Sequence, residues 1–371
     1  MSTVPGFANC HSHVFHRALR GRVTGADSFW SWRDHMYAVA AALDPDLLFD
    51  LAAATFAEMR LAGIRTVGEF HYLHHGADGR GYDDPNAMGE ALIAAAREAG
   101  VAIALLDTCY LGAGFGRGAE GVQRRFSDGD ADRWAERVET LRRRYRGEDD
   151  VVVGAAIHSV RAVPRDQLAT VASAFPDAPL HVHVSEQPAE NDECVAATGL
   201  TPVGLLAEAG AWTPRTTAVH ATHLTVEDVA TLGAARSFVC LCPTTEAELA
   251  DGIGPSVALR DAGARVTLGS DSHTVIDLFA EARAVEMHER LATGIRGAWT
   301  AEQLWAAATT TGHASLGLGM PEPVDVRVSV RTAGSTEILW AASAADLVTE
   351  LDPDDVAHRL TTAIDACWER V

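Results

Sequence analysis

The sequence predicts an α/β fold in which eight parallel strands and the helices between them close into a (β/α)8 barrel, the TIM-barrel architecture. Short runs rich in Val, Ile and Leu alternate strictly with Ala/Leu/Glu/Arg segments of helical spacing, from residue 4 to residue 270. Alternation over this length favours a closed barrel over an open doubly wound sheet. In addition, polar residues follow the C-terminal ends of the predicted strands, where barrel active sites lie.

Each predicted strand is a short apolar run, and each predicted helix has apolar residues at helical spacing. The predicted strands are 4–10, 64–70, 101–107, 151–158, 179–185, 216–221, 237–242 and 264–270. The predicted helices between them are 45–62, 86–99, 131–146, 165–175, 202–210, 225–234 and 256–262. Two further helices (276–292 and 300–310), one exposed strand (324–330) and a final helix (354–369) are expected beyond them.

We therefore expect two parts: a barrel over 1–317, and a C-terminal extension over 318–371 made of one strand and the terminal helix. The loop 111–130 is rich in glycine, and we expect it to be the most mobile insertion of the barrel.

Composition excludes several classes of partner. The formal net charge of −21 argues against nucleic acid and anionic membranes. The first residues lack the basic and apolar regions of a secretory signal, and no apolar run approaches the ~18 residues of a membrane span. The six cysteines are scattered, which favours buried free thiols over a disulfide framework. We predict a cytoplasmic protein that contacts neither nucleic acid nor membrane.

Histidines and carboxylates follow four of the predicted strands. His11 and His13 end the first strand, His183 the fifth, His220 the sixth, and Asp271 follows the eighth. Residues at i and i+2 lie on one face of an extended segment, so His11 and His13 can share a ligand. Imidazoles from two strands with a carboxylate from a third are a suitable ligand set for a catalytic zinc ion.

The other histidines have simpler interpretations. His181 alternates inward and is expected in the barrel core. We expect His35, His74, His75, His288, His313 and His358 to be surface or capping residues.

Several motifs resemble those of a known family. "PGFANCHSH", "HVHVSE", "VHATH" and "LGSDSH", in this order, are similar to the amidohydrolase superfamily. More narrowly, "SFWSWRDHMY", "EFHYLHH", "HSVRAVP" and "SEQPAEND" resemble formimidoylglutamate deiminases, and the resemblance extends over roughly residues 4 to 317.

The resemblance implies a role for each matching residue. The implied metal ligands are His11, His13, His183 and Asp271. The implied catalytic residues are Glu186 and His220, together with Asp271. The implied substrate contacts are Arg33, Tyr72, His158 and Arg161, with His16 at the position where the family usually has glutamine.

The expected number of metal ions depends on the absence of lysine from the sequence. All 30 basic residues are arginine, whereas binuclear members of the superfamily commonly bridge two ions with a carbamylated lysine. We therefore expect one divalent ion per chain, Zn²⁺ first, with Fe²⁺, Co²⁺ and Mn²⁺ as alternatives.

The function that the resemblance implies is hydrolysis of N-formimidoyl-L-glutamate, a small anionic amidine, to N-formyl-L-glutamate and ammonia in histidine degradation. Two alternatives remain: an aminohydrolase of the guanine or pterin type, and a non-catalytic relative that binds a ligand. Relatives of this type carry a small β-sandwich built from segments at both ends of the barrel. Here the sandwich is expected to be reduced: either its exposed strand 324–330 pairs in a homodimer, or the small domain is vestigial.

Overall fold

The computed structural model describes residues 2–23, 29–328 and 334–371. Eight strands form one sheet, in which every neighbouring pair is parallel and strands adjacent in the sheet are consecutive along the chain. The barrel strands are β1 (Phe7–Ser12), β2 (Ile64–His71), β3 (Ala102–Cys109), β4 (Val151–Ile157), β5 (Leu180–Val184), β6 (Thr216–His220), β7 (Phe238–Leu241) and β8 (Arg265–Leu268). The predicted (β/α)8 barrel is confirmed.

The barrel closes where β1 and the residues after β8 meet. Ser12 forms a parallel bridge with Asp271. The amide of Asp271 donates to the carbonyl of His11 at 3.0 Å, and the amide of His13 donates to the carbonyl of Asp271 at 3.2 Å. The backbone bonds that close the barrel therefore also bring together residues 260 positions apart.

Helices alternate with the strands and cover the sheet. They are α1 (Phe29–Ala42), α2 (Pro45–Leu61), α3 (Ala87–Ala99), α4 (Ala131–Arg144), α5 (Arg165–Ser173), α6 (Pro188–Thr198), α7 (Pro202–Glu208), α8 (Val226–Ala234), α9 (Pro243–Glu248), α10 (Ser256–Ala262), α11 (Leu278–Thr293), α12 (Ala301–Ala308), α13 (Thr310–Leu316), α14 (Ser335–Ala341) and α15 (Pro353–Trp368). Helices α1, α6, α9, α13 and α14 are additions to the predicted set. None of the described helices is long and apolar enough to cross a membrane.

Local sequence explains where several helices begin and end. The Asp44 side chain accepts from the amide of Leu47 and so caps α2, whose first residue is a proline. Thr225 and Asp228 form a reciprocal capping box at the start of α8. Gly100 ends α3 with φ of 69°, a left-handed conformation that favours glycine.

The expected strand over 324–330 differs from the structure. The observed strand is Val324–Val326, and residues 329–333 lie outside the described part of the chain. It pairs antiparallel with a strand at Ser2–Val4, and its other edge bonds to residues 346–348. The expectation of an unpaired exposed strand was wrong, because Ser2–Val4, from the other end of the chain, covers one edge and residues 346–348 cover the other. This strand therefore gives no support to the homodimer, which stays a prediction.

The terminal helix α15 packs against the start of the barrel domain. The Trp368 indole donates to the carbonyl of Ala18 at 2.8 Å, and Arg370 forms an ion pair with Asp44 at 2.7 Å. Cys367 is fully buried in this contact. The division of the chain at residue 317 stays a prediction.

All six cysteines are buried and free, as expected. Burial raises the pKa of Cys10 to about 12, so this thiol stays protonated at neutral pH.

Candidate active site

The residues singled out in the sequence meet at the C-terminal end of the barrel, in one pocket. The predicted residues that line it are His13, His16, Arg33, Tyr72, His158, Arg161, His183, Glu186, His220 and Asp271. His11 is fully buried and its Nε2 atom lies 3.0 Å from that of His183. The eleven predicted residues therefore belong to a single site.

Three imidazoles direct their Nε2 atoms toward one another. The Nε2 atom of His183 is 3.0 Å from that of His11 and 3.2 Å from that of His13. Oδ1 of Asp271 lies 3.4 Å from His11 Nε2 and 3.5 Å from His13 Nε2. Four donor atoms from three parts of the barrel surround one position, which is the donor set of a divalent metal site.

The hydrogen bonds of these rings determine which nitrogen holds the proton. His13 Nδ1 donates to the carbonyl of Phe70 at 3.0 Å, and His183 Nδ1 donates to the carbonyl of His158 at 3.0 Å. A neutral imidazole has one N–H, so both Nε2 atoms present lone pairs. Burial lowers the pKa of His13 to about 3 and that of His183 well below its usual value, which opposes a second proton. Opposed lone pairs repel, and a cation between them removes the repulsion; the residues fit a divalent ion.

Asp271 supplies the only carboxylate of this group. Burial alone would raise its pKa, but the hydrogen bond from His11 and the charges of His11, His220 and His13 lower the pKa well below the usual range. The carboxylate is therefore ionised, as a metal ligand must be.

Strained backbone concentrates at these strand ends. Among the described residues, five of the seven non-glycine residues with positive φ lie at the ends of β5, β6 and β8 or just after them: Ser185, His220, Ala221, Asp271 and His273. Left-handed conformations cost about 1–3 kcal/mol each for such residues and cluster at functional sites. The sequence contains no signal for this strain.

His220 lies among three carboxylates. Its Nε2 atom is 3.8 Å from Glu186 and 4.0 Å from Asp271, and its Nδ1 atom is 3.4 Å from Glu246. Burial by itself would lower the pKa of His220, but the surrounding carboxylates raise it well above the usual value. Glu186 retains some exposure to the pocket, so its carboxyl can reach both His220 and a bound molecule.

Sequence reasoning missed Glu246, which is buried in α9 and also accepts from the amide of Cys242 at 2.8 Å. It lies five residues beyond the end of β7, within α9, so the strand-end pattern that identified the other residues does not reach it.

The remaining predicted residues form the rest of the pocket wall, next to the His/Asp group. His16 Nε2 and the Tyr72 hydroxyl are hydrogen bonded at 3.1 Å. The Arg33 guanidinium lies 5.5 Å from the centre of the Tyr37 ring. Arg161 Nε lies 3.9 Å from the buried carboxylate of Glu190. The wall thus combines two cations with neutral donors.

The other histidines only partly match expectation. His181 is fully buried in the barrel, as predicted. The prediction of surface or capping positions was wrong for His74, His75 and His313, which are buried, because their partners belong to other segments: the carbonyl of Thr108, the carboxylate of Asp128 and the carbonyl of Gly6, respectively.

A second group that could hold a metal consists of His71, His74 and Asp107. Both oxygens of Asp107 accept from Arg137, at 2.8 Å each, so a guanidinium already balances this carboxylate. A metal ion there would meet the repulsion of a buried cation. We interpret this group as a structural charge network.

Comparisons with known proteins agree with this geometry. Residues 3–320 match the family model described as "Amidohydrolase family". The chain is 39% identical over 296 residues to the formimidoylglutamate deiminase of Pseudomonas aeruginosa; the match covers 78% of this chain and 65% of that relative, slightly less than two thirds of its length.

Two solved structures share the architecture. A crystal structure of an amidohydrolase from Brucella melitensis superposes with a TM-score of 0.90 at 32% identity, over 99% of this chain and 90% of that one. An adenosine deaminase from Xanthomonas campestris with bound zinc gives a TM-score of 0.84 at 21% identity, over 99% of this chain and 86% of that one, and so shows the fold alone. With its closed barrel, its His/Asp group at the strand ends and a family match over most of its length, the chain belongs to the amidohydrolase family.

Proposed function

We propose that this chain catalyses the metal-dependent hydrolysis of N-formimidoyl-L-glutamate to N-formyl-L-glutamate and ammonia. The observation that carries the proposal is one pocket lined both by the His/Asp group and by two arginines, Arg33 and Arg161. A hydrolytic centre is thus next to the cations that a substrate with two carboxylates requires. The identity to the deiminase of Pseudomonas aeruginosa supports the same reaction.

We assign the metal ligands to His11, His13, His183 and Asp271, whose donor atoms face one another at 3.0–3.5 Å. One divalent ion per chain is proposed, Zn²⁺ first and Fe²⁺, Co²⁺ or Mn²⁺ as alternatives. When bound, such an ion acidifies a water molecule and makes it a nucleophile at neutral pH.

The protein residues then divide the proton transfers between them. Asp271 accepts the proton of the attacking water as the water oxygen bonds to the formimidoyl carbon, and His220, 4.0 Å from Asp271, orients that water. Glu186, 3.8 Å from His220, delivers protons to the imino nitrogen. The C–N bond then breaks, the carbonyl of the formyl group forms, and the nitrogen leaves as ammonia. Both hydrogens that ammonia gains derive from the water, so the reaction needs no other reactant.

Substrate binding must overcome the charge of the chain, which is −21. Arg33 and Arg161 present planar guanidinium groups that suit carboxylates. His16, Tyr72 and His158 add neutral donors to the same wall, since burial lowers the pKa of His158 well below its usual value. A heterocyclic amine would not require two cations, which favours the amidine dicarboxylate over a guanine or pterin.

The test is direct. Purified chain loaded with Zn²⁺ receives N-formimidoyl-L-glutamate, and ammonia and N-formyl-L-glutamate are quantified. We expect both products in equal amounts, with no turnover of guanine or pterin. Asp271→Asn should lower activity more than about 100-fold, whereas Asp261→Asn on the surface should not. Bound metal without ammonia release would refute the proposal and favour a non-catalytic relative.

We further propose a cytoplasmic location, a role in histidine degradation and a homodimer. The six free cysteines support the first, and the substrate class supports the second. Light scattering tests the third, and a stable monomer would contradict it.

A further inference from the structure

The side-chain amide of Gln123 joins two phenols at the wall of the pocket. Its Nε2 atom donates to the hydroxyl oxygens of Tyr37 and Tyr110, each at 3.0 Å. Its Oε1 atom accepts from the backbone amide of Glu120 at 3.1 Å, which fixes the orientation of the amide group. Gln123, Tyr37 and Tyr110 all line the same pocket as the His/Asp group.

The number of N–H and O–H protons in this group determines whether a phenol can donate a hydrogen bond to a ligand. Both N–H groups of Gln123 are used on the two phenol oxygens, so each phenol still has its own proton to donate. Tyr37 and Tyr110 are close enough to hydrogen bond to each other, and such a bond would use one of the two protons. One phenolic proton remains. Burial raises the pKa of Tyr110, so this phenol stays protonated across the neutral range.

The two phenols contact residues proposed to bind substrate carboxylates. The Tyr37 ring lies under the guanidinium of Arg33, 5.5 Å from its carbon. The Tyr110 ring packs against His158 with 4.4 Å between ring centres. The amide of Gln123 thus connects the two sides of the substrate wall.

The segment that carries Gln123 is firmly held, although its glycine content suggested mobility. Arg125 is fully buried and donates to the carbonyls of His75 at 3.1 Å, Leu43 at 2.8 Å and Ala40. The fully buried Phe126 packs between the rings of Tyr72 and Tyr110. These contacts hold Gln123 in place before any ligand binds.

We propose that Gln123 is a positioning residue that orients the phenols of Tyr37 and Tyr110 so that one of them donates a hydrogen bond to a substrate carboxylate, and that this pair of tyrosines determines specificity for anionic substrates. The inference rests on the proposed function for the identity of the substrate. It adds to that function a set of neutral donors supplied by α1, by the residue after β3 and by the loop that follows it.

The first experiment removes only the phenolic oxygens. Tyr37→Phe and Tyr110→Phe keep the rings and their packing, and Tyr145→Phe, whose hydroxyl bonds Glu90 on the outer helices, is the matched control. Binding of glutarate and of its neutral diamide, glutaramide, is measured by calorimetry on the Zn²⁺-loaded chain. We expect glutarate to bind about 10-fold more weakly to at least one pocket variant, with glutaramide and the control unchanged.

The second experiment reverses the direction of the hydrogen bonds. Gln123→Glu has the same size, but its carboxylate would accept the phenolic protons and withdraw them from the pocket. We expect a KM for N-formimidoyl-L-glutamate at least about 10-fold higher, a smaller change in kcat, and selective loss of glutarate binding. Gln123→Leu, which accepts no proton, should weaken glutarate binding less than Gln123→Glu does. Unchanged thermal melting shows that the fold is intact.

The outcomes separate the inference from the proposed function. Turnover of N-formimidoyl-L-glutamate by the unaltered chain, with equal glutarate affinity in all the variants, overturns the inference alone. Selective loss of glutarate binding in a chain that shows no turnover supports the inference and refutes the deiminase activity. An unaltered chain that does not prefer glutarate to glutaramide overturns the inference directly.

Discussion

The Nε2 atoms of His13 and His183 face each other at 3.2 Å, and both rings already use Nδ1 to donate to backbone carbonyls. Two neutral imidazoles in this arrangement oppose lone pairs and gain nothing from their proximity unless a cation lies between them. This contact therefore links the histidine motif at the end of β1 to the proposed metal site.

Metal removal should both inactivate the protein and lower its stability. An ion present at about 100 times its dissociation constant stabilises the folded state by about 2.7 kcal/mol. We therefore expect chelation to lower the Tm and Zn²⁺ to restore it, at one ion per chain by elemental analysis. His183→Ala should reduce the metal content to near zero, and His358→Ala on the surface should not. Two ions per chain would contradict the single-site assignment.

The metal-free protein should lose stability in mild acid. Burial lowers the pKa of His181 to about 3, whereas the unfolded chain titrates near 6.5, so the folded state binds fewer protons between these values. Stability is then complete above about pH 6.5 and declines as the pH falls, by about 2 kcal/mol for this group at pH 5. Urea unfolding at pH 7 and pH 5 measures the decline. His181→Gln should reduce this decline, and the surface variant His358→Gln should not. An equal decline in the free energy of unfolding in all three proteins would refute this interpretation.

Arg161 should act on substrate binding. Its guanidinium lines the pocket, and Arg161→Met keeps the length of the side chain but removes the charge. A charge-assisted bond to a carboxylate predicts a decrease in kcat/KM of about 10- to 100-fold, mainly through KM. Arg165→Met, which removes an exposed ion pair with Glu208, is the control. Equal kinetics for Arg161→Met and the unaltered chain would exclude a carboxylate contact.

His16 occupies the position where the resembling family usually has glutamine, and this departure can be tested by substitution. Its Nε2 atom bonds the hydroxyl of Tyr72, and glutamine can make a similar bond. We expect His16→Gln to keep kcat/KM within about threefold and His16→Leu to lower it at least about 10-fold. A decrease in kcat/KM for His16→Gln as large as that for His16→Leu would show that the imidazole has a role that an amide cannot fulfil.

The buried network around Asp107 should matter for stability rather than catalysis. Burial alone would raise the pKa of Asp107, but Arg137 lowers it, so its contribution is present above about pH 4 and declines in acid. Breaking such a pair leaves an uncompensated buried charge and costs about 3–5 kcal/mol. Asp107→Asn should lower the free energy of unfolding by this amount in urea, with kcat/KM unchanged in the folded protein.

The matched control for this network is Asp150→Asn, which breaks an exposed pair with Arg97 at 2.8 Å. It should cost less than about 1 kcal/mol. An equal decrease in the free energy of unfolding for Asp107→Asn and Asp150→Asn would show that burial does not make the Asp107 pair more important than an exposed one.

Much of the barrel could be predicted because its signals are local. The eight strands were found from apolar runs, and His11, His13, His183, His220 and Asp271 were found because strand ends share one face of a barrel. The helix α1 was missed, although Arg33 within it was identified by resemblance. The prediction for the strand over 324–330 failed because its partner, Ser2–Val4, lies more than 300 residues earlier in the chain.

The sequence by itself therefore determined the fold class, the acidic character of the chain and the identity of the residues at the strand ends. Only the tertiary structure decided the tautomers of the paired imidazoles, the carboxylates around His220 and the bonds of Gln123 to Tyr37 and Tyr110. The physical reason is how far apart in the sequence the interacting residues lie. Periodicity and strand ends are set by neighbouring residues, whereas a hydrogen bond between side chains depends on distances that folding alone establishes between remote segments.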